Sequence, residues 1–297
     1  MTINTTLIGF TAIVLWGALA LFTSLTGGLI PPFQLMAMTF TIAFALMLVR
    51  WLKQGHMGLR YIRQPLPAWL LMVGAYFGYH FCYFLALASA PVVEASLIAY
   101  LWPLLIVLFA ALLPGERLLA KHFAGAVLAL FGCYLIVGQG GAEFNWQYLN
   151  GYLLALVCAF IWSGFSVASR FIKHVPTDAV GWFCLATALL ALFAHLQLEQ
   201  TVWPLTSLQW AGVIGLGLGP VGIAFFTWDH GVKHGNLPLL GVLAYAAPLI
   251  SVVLLVLFGQ AMASWNIAFA CVLIVGGSLL AGWKKQQQSP REHSPSS

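Results

Sequence analysis

Ten long apolar stretches separated by short polar gaps restrict this 297-residue chain to a lipid environment. They lie near 5–25, 33–51, 67–87, 92–113, 121–138, 149–169, 179–197, 208–228, 237–258 and 264–283. An α-helix needs about 20 apolar residues to cross a hydrocarbon core of about 30 Å. All twelve Lys and Arg residues fall in alternate gaps: Arg50/Lys53/Arg60/Arg63, Arg117/Lys121, Arg170/Lys173, Lys233, and the tail with Lys284, Lys285 and Arg291. The gaps near 26–32, 88–91, 139–148, 198–207 and 259–263 hold none. Cytoplasmic loops retain Lys and Arg, so the pattern predicts both termini inside the cell. One span invented or missed would break the alternation.

Charged residues are 6% of the chain and mean hydropathy is +0.95, values that a water-soluble core of this size does not require. Ten spans use most of the length and leave no room for a separate soluble domain. The net charge of +5 is scattered through the cytosolic gaps, without a basic stripe interleaved with aromatics, which argues against nucleic acid as a partner. The lipid bilayer is the partner implied. Cys82, Cys133, Cys158, Cys184 and Cys271 all lie within spans without paired spacing and read as small apolar side chains. No charge precedes Arg50, so the first span lacks a signal peptide's basic region and reads as a retained helix.

The chain also repeats itself at an offset of about 145 residues. The segment ending at Trp16 matches that ending at Trp162, and Tyr100-Leu-Trp-Pro103 aligns with Tyr245-Ala-Ala-Pro248. Gly74 pairs with Gly219, Phe81 with Phe226, Tyr83 with Trp228, and Gly132 with Gly277. The shared offset carries more weight than any single match. Each half holds five spans, so the second enters the membrane from the opposite side. Such inverted repeats place a pocket near the midplane and permit alternating access. The division is 1–142 and 143–285, with Gly138, Gly140 and Gly141 closing the fifth span and a polar, low-complexity tail at 286–297 read as disordered. Gly74/Gly78 and Gly215/Gly219 form small-xxx-small faces suited to close helix contact. Pro91 and Pro238 fall at span starts, where a missing N–H costs nothing.

Several side chains are out of place in lipid. Pro103 and Pro248 interrupt matched spans and would free the carbonyls of Ala99 and Ala244, which reads as a paired hinge or as kinks kept for packing. Trp16, Trp102 and Trp162 lie mid-span with indole N–H groups that lipid cannot satisfy, and the Tyr100 and Tyr245 hydroxyls have the same need. The other nine Trp, Trp228 among them, lie near span ends and suit an interfacial belt. Tyr76, His80 and Tyr83 share one face of the third span. The set makes an aromatic cavity with a few hydrogen-bonding points, or an aromatic packing core. His80 reads as a titrating group or as a neutral donor. Glu94 reads as a functional intramembrane acid or as a carboxylate complementing a helix N-terminus. Asp229 and Lys233 read as a solvated or gate-forming ion pair at the cytosolic mouth. Paired acids on one helix, H-E-x-x-H, P-loop, G-x-S-x-G and Rossmann patterns are all missing, so neither an enzyme nor an ATP-driven pump is expected, and no cofactor or metal is implied.

These residues resemble the drug/metabolite transporter superfamily, in its ten-helix group with two EamA-type repeats. Glu94-Ala-Ser-Leu-Ile-Ala-Tyr-Leu-Trp-Pro-Leu-Leu looks like the fourth helix of the aromatic amino acid exporters of that group, and His234-Gly-Asn-Leu-Pro running to Tyr245-Ala-Ala-Pro248 like their ninth. The resemblance covers the chain up to its polar tail. It implies an all-α basket around a central cavity lined by spans 1, 3, 4, 6, 8 and 9, and export of aromatic amino acids or similar metabolites across the bacterial inner membrane. Tyr100, Trp102 and Pro103 match its fourth-helix motif, Tyr245 and Pro248 its ninth, and Trp16 and Trp162 its recurring first-helix Trp. Trp102 pairs only with Ala247, so the pocket should be lopsided and suit a solute with one aromatic and one zwitterionic end. Export of drugs or nucleoside-type metabolites, a membrane-embedded enzyme acting on lipids, and a non-transporting scaffold or sensor are the alternatives.

Overall fold

The computed structural model describes residues 2–114, 119–137, 145–259 and 265–282. The glycines expected to close the fifth span, the boundary at 142/143 and the polar tail lie outside them. Eight helices are long and apolar enough to cross a membrane: α1 (Ile3–Leu25), α2 (Pro32–Lys53), α3 (Leu66–Ser89), α4 (Val92–Ala110), α6 (Trp146–Ile172), α7 (Thr177–Leu198), α8 (Ser207–His234) and α9 (Leu237–Leu257). Two further apolar helices, α5 (Ala120–Val137) and α10 (Trp265–Gly282), complete the ten. Leu7, Val14, Leu189, Phe193, Val272 and Leu279 point outward, a face that water would penalise and acyl chains accept.

Helix starts follow local chemistry. Pro31, Pro65 and Pro91 precede α2, α3 and α4, and Pro238 sits in the first turn of α9, as expected of a residue without an N–H. Thr206 and Gln209 form a reciprocal capping box on α8, and the Asn236 side chain accepts from the Leu239 N–H at 3.0 Å. The Glu199 carboxylate accepts from the backbone N–H groups of Phe33 and Gln34 at 2.9 and 3.0 Å, neutralising the N-terminus of α2 from the end of α7.

Packing obeys the repeat. The two main partnerships, α5 with α10 and α2 with α7, join equivalent helices; α1 packs on α8 as α6 packs on α3, and α4 on α6 as α9 on α1. Exchanging the halves leaves this pattern unchanged, as expected of two inverted five-helix repeats. Close crossings occur at Gly9 against Gly231 and Gly125 against Gly277, where a Cβ on Gly231 would stand 2.4 Å from the Gly9 Cα and one on Gly125 2.4 Å from the Gly277 carbonyl. The expected Gly74/Gly78 face makes no such contact: Gly74 has open space beside it, and the nearest atom to a Cβ at Gly78 is 3.7 Å away. Of the matched pair of faces only Gly215 is tightly covered, by Phe22.

Four spans are interrupted, the first being α1, which divides at Ala18 into Thr2–Gly17 and Leu19–Leu25. α4 divides into Val92–Ala99 and Trp102–Ala110, and α9 into Leu237–Leu243 and Ala246–Leu257, each break just ahead of its proline. The Ala244 carbonyl is not left for a wet cavity: it accepts from the Ala247 N–H at 3.1 Å, a tightened turn. In α8 the segment Gly217–Ile223 is a π-helical turn around Pro220. The apolar run of this span ends at residue 228, but the helix continues to His234 and carries Asp229 and Lys233 inside it.

Candidate functional site

A cavity of about 420 Å³ lies among the helices, within the range of about 300–1,000 Å³ typical of small-molecule sites. Its wall draws on the C-terminal halves of α1 and α3, the N-terminal halves of α2 and α4, the first half of α8 and the second half of α9. With the start of α1 and the end of α10 at the cation-bearing end, the cavity runs from the middle of the helices into the opposite, cation-free half. Helix α2 was not expected at the wall, yet it contributes Leu35, Met36, Thr39 and Phe40. From α6 only Trp162 reaches it.

The floor is aromatic because the indoles of Trp16, Trp102 and Trp162 line it and that of Trp228 packs against them from beneath. Trp16 packs at 6.1 Å from Trp102, 5.6 Å from Trp162 and 5.0 Å from Trp228, and Trp228 lies 5.8 Å from Trp102. Phe225 closes the group, 6.3 Å from Trp16 and 5.6 Å from Trp162. Each favourable ring pair adds about 0.5–1.5 kcal/mol beyond its buried area. The Trp16 indole N–H donates to the Pro220 carbonyl at 3.0 Å, tying α1 to the π turn of α8. The Trp228 indole N–H donates to the Ser166 hydroxyl at 3.1 Å, and that hydroxyl donates to the Trp162 carbonyl at 2.8 Å. Trp228 is therefore buried beneath the floor and no part of an interfacial belt. Trp51 is likewise buried, stacked on Tyr61 and Trp182.

The polar points come from α3 and α4. His80 Nδ1 lies 2.7 Å from the Tyr76 carbonyl, which can only accept, so Nδ1 carries the proton and Nε2 remains for another partner. Phe40 meets the imidazole edge-on at 5.6 Å. The Tyr83 and Ser96 hydroxyls stand 3.2 Å apart, and Tyr79, which nothing in the spacing singles out, stacks on Tyr83 at 5.9 Å. Among the described residues, none of those lining the cavity is charged.

Of the side chains singled out from sequence, Trp16, His80, Tyr83, Tyr100, Trp102 and Trp162 share this wall. Tyr76 does not reach it; it is buried beneath the floor, 4.7 Å from Phe225 and 5.5 Å from Phe165. Tyr245 is buried with Val107, Cys133 and Leu249 on the far side of α9's break. Glu94 lies half-buried in the first turn of α4, where a carboxylate complements the helix end, and is not part of the lining.

The cation-bearing end is closed. Lys233 Nζ lies 2.7 Å from Asp229 Oδ1 and donates to the Val175 carbonyl at 3.0 Å; the Thr177 hydroxyl donates to Asp229 Oδ2 at 2.7 Å. Both charged side chains are fully buried, so this pair is not the solvated one that a loop position suggested. Arg170 donates to the Lys233 and Gly235 carbonyls, and the Thr5 hydroxyl donates to the His234 carbonyl at 3.2 Å, so α1, α6 and α8 are tied together there.

Ten helices in two exchangeable halves around an uncharged aromatic cavity define a membrane transporter of the inverted-repeat class. The chain belongs to the EamA-like transporter family, whose profile matches residues 4–138 and again 149–283. It is 55% identical to the aromatic amino acid exporter YddG of Ancylobacter novellus over 94% of this chain and 96% of that protein. The exporter of the same name from Salmonella typhimurium is 29% identical over 93% and 95%, and the pseudopaline exporter CntI of Pseudomonas aeruginosa 28% over 67% and 68%. A solved crystal structure with 53% identity superposes with a TM-score of 0.91, covering 95% of this chain and 97% of that one.

Proposed function

We propose that this transporter exports aromatic amino acids and related amino acids or analogues across the bacterial inner membrane, with both termini in the cytoplasm. The observation that carries the reading is the cavity itself, an aromatic floor below a few neutral hydrogen-bonding groups. A side-chain ring gains by leaving water for that floor, while the α-amino and α-carboxylate groups find His80 Nε2 and the Tyr83 and Ser96 hydroxyls. Neutral partners hold a zwitterion without trapping it, which suits release. The 55% identity to a protein named as an aromatic amino acid exporter points the same way.

The state described faces outward. The cavity occupies the cation-free half, and the opposite end is sealed by the buried hydrogen bonds of Lys233 to Asp229 and the Val175 carbonyl and by the Gly9–Gly231 crossing. Alternation then rocks the group α1, α8 and α9 against the group α3, α4 and α6, each drawn from both repeats 1–142 and 143–285, with Pro103 and Pro248 as hinges where α4 and α9 are already divided. Trp16, His80, Tyr83, Tyr100, Trp102 and Trp162 contact the solute in this state, while Tyr76 lies beneath the floor and Tyr245 packs away from it with Val107 and Cys133. Glu94 has a structural role at the start of α4.

Purified protein in liposomes loaded with labelled Phe, Trp or Tyr should release them faster than protein-free vesicles do. Equal rates for all three would reject the substrate class. Relatives named for pseudopaline and biotin show that the scaffold serves other solutes, so competition by unlabelled nucleosides and drugs is the companion measurement. Inhibition by those and not by aromatic amino acids would favour the second reading.

A further inference from the structure

Among the described residues, Asp229 and Lys233 are the buried members of the Asp, Glu, Lys and Arg set. They have no counterpart in the first half, where the repeat offset places Phe84 and Ala88. Phe84 lines the cavity, as do Tyr83 and Pro32, the counterparts of Trp228 and Thr177. In inverted-repeat transporters one bundle rocks against the other about a fixed site, so access alternates between the two ends. By the pseudo-symmetry of the halves, that motion would open a second vestibule at the cation-bearing end, with Thr177, Trp228 and Asp229, the counterparts of Pro32, Tyr83 and Phe84, on its wall. The present vestibule has no charged lining among the described residues; the second carries a carboxylate with an ammonium beside it.

We propose that Asp229 and Lys233 form the cytosolic intake site for a zwitterionic amino acid, its ammonium taking Asp229 and its carboxylate taking Lys233. The inference rests on the amino acid reading above. In the closed state the pair satisfies itself, with Thr177 and the Val175 carbonyl as further partners, so no uncompensated charge stays buried once the solute has moved on. On entry the solute exchanges two charges for two charges of the same signs, and nothing is left unpaired. The zwitterion is thus recognised by charge at intake and only by neutral groups at release. This makes half-saturation lower at the cytosolic face than at the outer face, without biasing the equilibrium of transport.

The test uses the full chain in vesicles of known sidedness and labelled L-Phe. Neutralising both partners together, Asp229→Asn with Lys233→Gln, avoids a lone buried charge. This double variant should raise half-saturation at the cytosolic face at least tenfold and leave that at the outer face within about twofold. Equal changes at both faces, or none, would overturn the proposal and leave a purely structural pair. Thr177→Cys supplies a second measurement that keeps the pair in place. A membrane-impermeant maleimide applied from the cytosolic side should modify it, the native cysteines serving as the control. Phe should protect it, whereas phenylpropionate and phenethylamine, each lacking one charge, should not. Protection by all three, or by none, contradicts a zwitterion site. If the wild-type protein moves no aromatic amino acid at all, the substrate reading fails first, and that outcome is separate from the others.

Discussion

At the scale of the residue, the indoles of Trp16, Trp102 and Trp162 and the phenol of Tyr100, which looked misplaced in lipid, help build the cavity, whereas Tyr245 packs elsewhere. Trp102 shows why: its ring closes the floor against Trp16 and Trp228, and it presents to the space above a face with no repeat equivalent. Trp102→Ala should lower the rate of Phe efflux by about tenfold, the scale set by ring pairings of about 0.5–1.5 kcal/mol each, while the protein still inserts and melts cooperatively. Normal efflux would remove Trp102 from the site. His80→Gln should slow transport without altering its pH profile, because Nδ1 serves as a fixed donor to the Tyr76 carbonyl; a displaced profile would make His80 the titrating group instead. Trp16, His80, Tyr83, Tyr100, Trp102 and Trp162 were legible because polar or aromatic groups in a span demand partners. Met36, Thr39 and Phe40 were not, since nothing distinguishes them from side chains that face lipid. Trp228 was misplaced for a related reason. Two charges follow it in sequence, read there as an ion pair at a loop mouth, and only the fold shows that the pair is buried and the helix runs on past it.

Helices record the same division between what composition dictates and what packing decides. Span positions followed from apolar length, and the breaks in α4 and α9 from Pro103 and Pro248, since a missing donor must loosen its helix locally. The π turn of α8 was hidden: Pro220 stands among Gly217, Gly219 and Gly222, and its carbonyl is satisfied by Trp16 from another helix, a partnership no linear pattern reveals. Pro220→Ala should restore the regular ladder, draw the carbonyl from the Trp16 indole and reduce turnover more than stability; unchanged turnover would show the π turn to be incidental. Glycine patterns within one helix also proved a poor guide to contact, since closeness depends on both partners. Gly231→Ala would set its Cβ against the Gly9 backbone, where little can yield. Overpacking of this kind costs about 1–3 kcal/mol, readable as a lowered melting temperature in detergent and slower closure of the cation-bearing end. A variant as stable as the parent would mean that α1 and α8 are not held together there.

For the whole molecule, the alternation of cations and the 145-residue offset anticipate a structure whose packing survives exchange of its halves. What they left open was which half of the exchange the protein occupies, because a sequence shared by two conformations cannot prefer one. Reporter domains fused to either terminus should both be active only in the cytoplasm. The central claim is a solute-binding hollow reached from the cation-free side, and Ser96→Cys tests it most directly, since Ser96 faces Tyr83 on the cavity wall. In intact cells an impermeant maleimide should label this cysteine from outside, and added Trp or Phe should slow the reaction while Gly does not. A cysteine that reacts only from the cytoplasm, or at a rate indifferent to aromatic amino acids, would contradict the account.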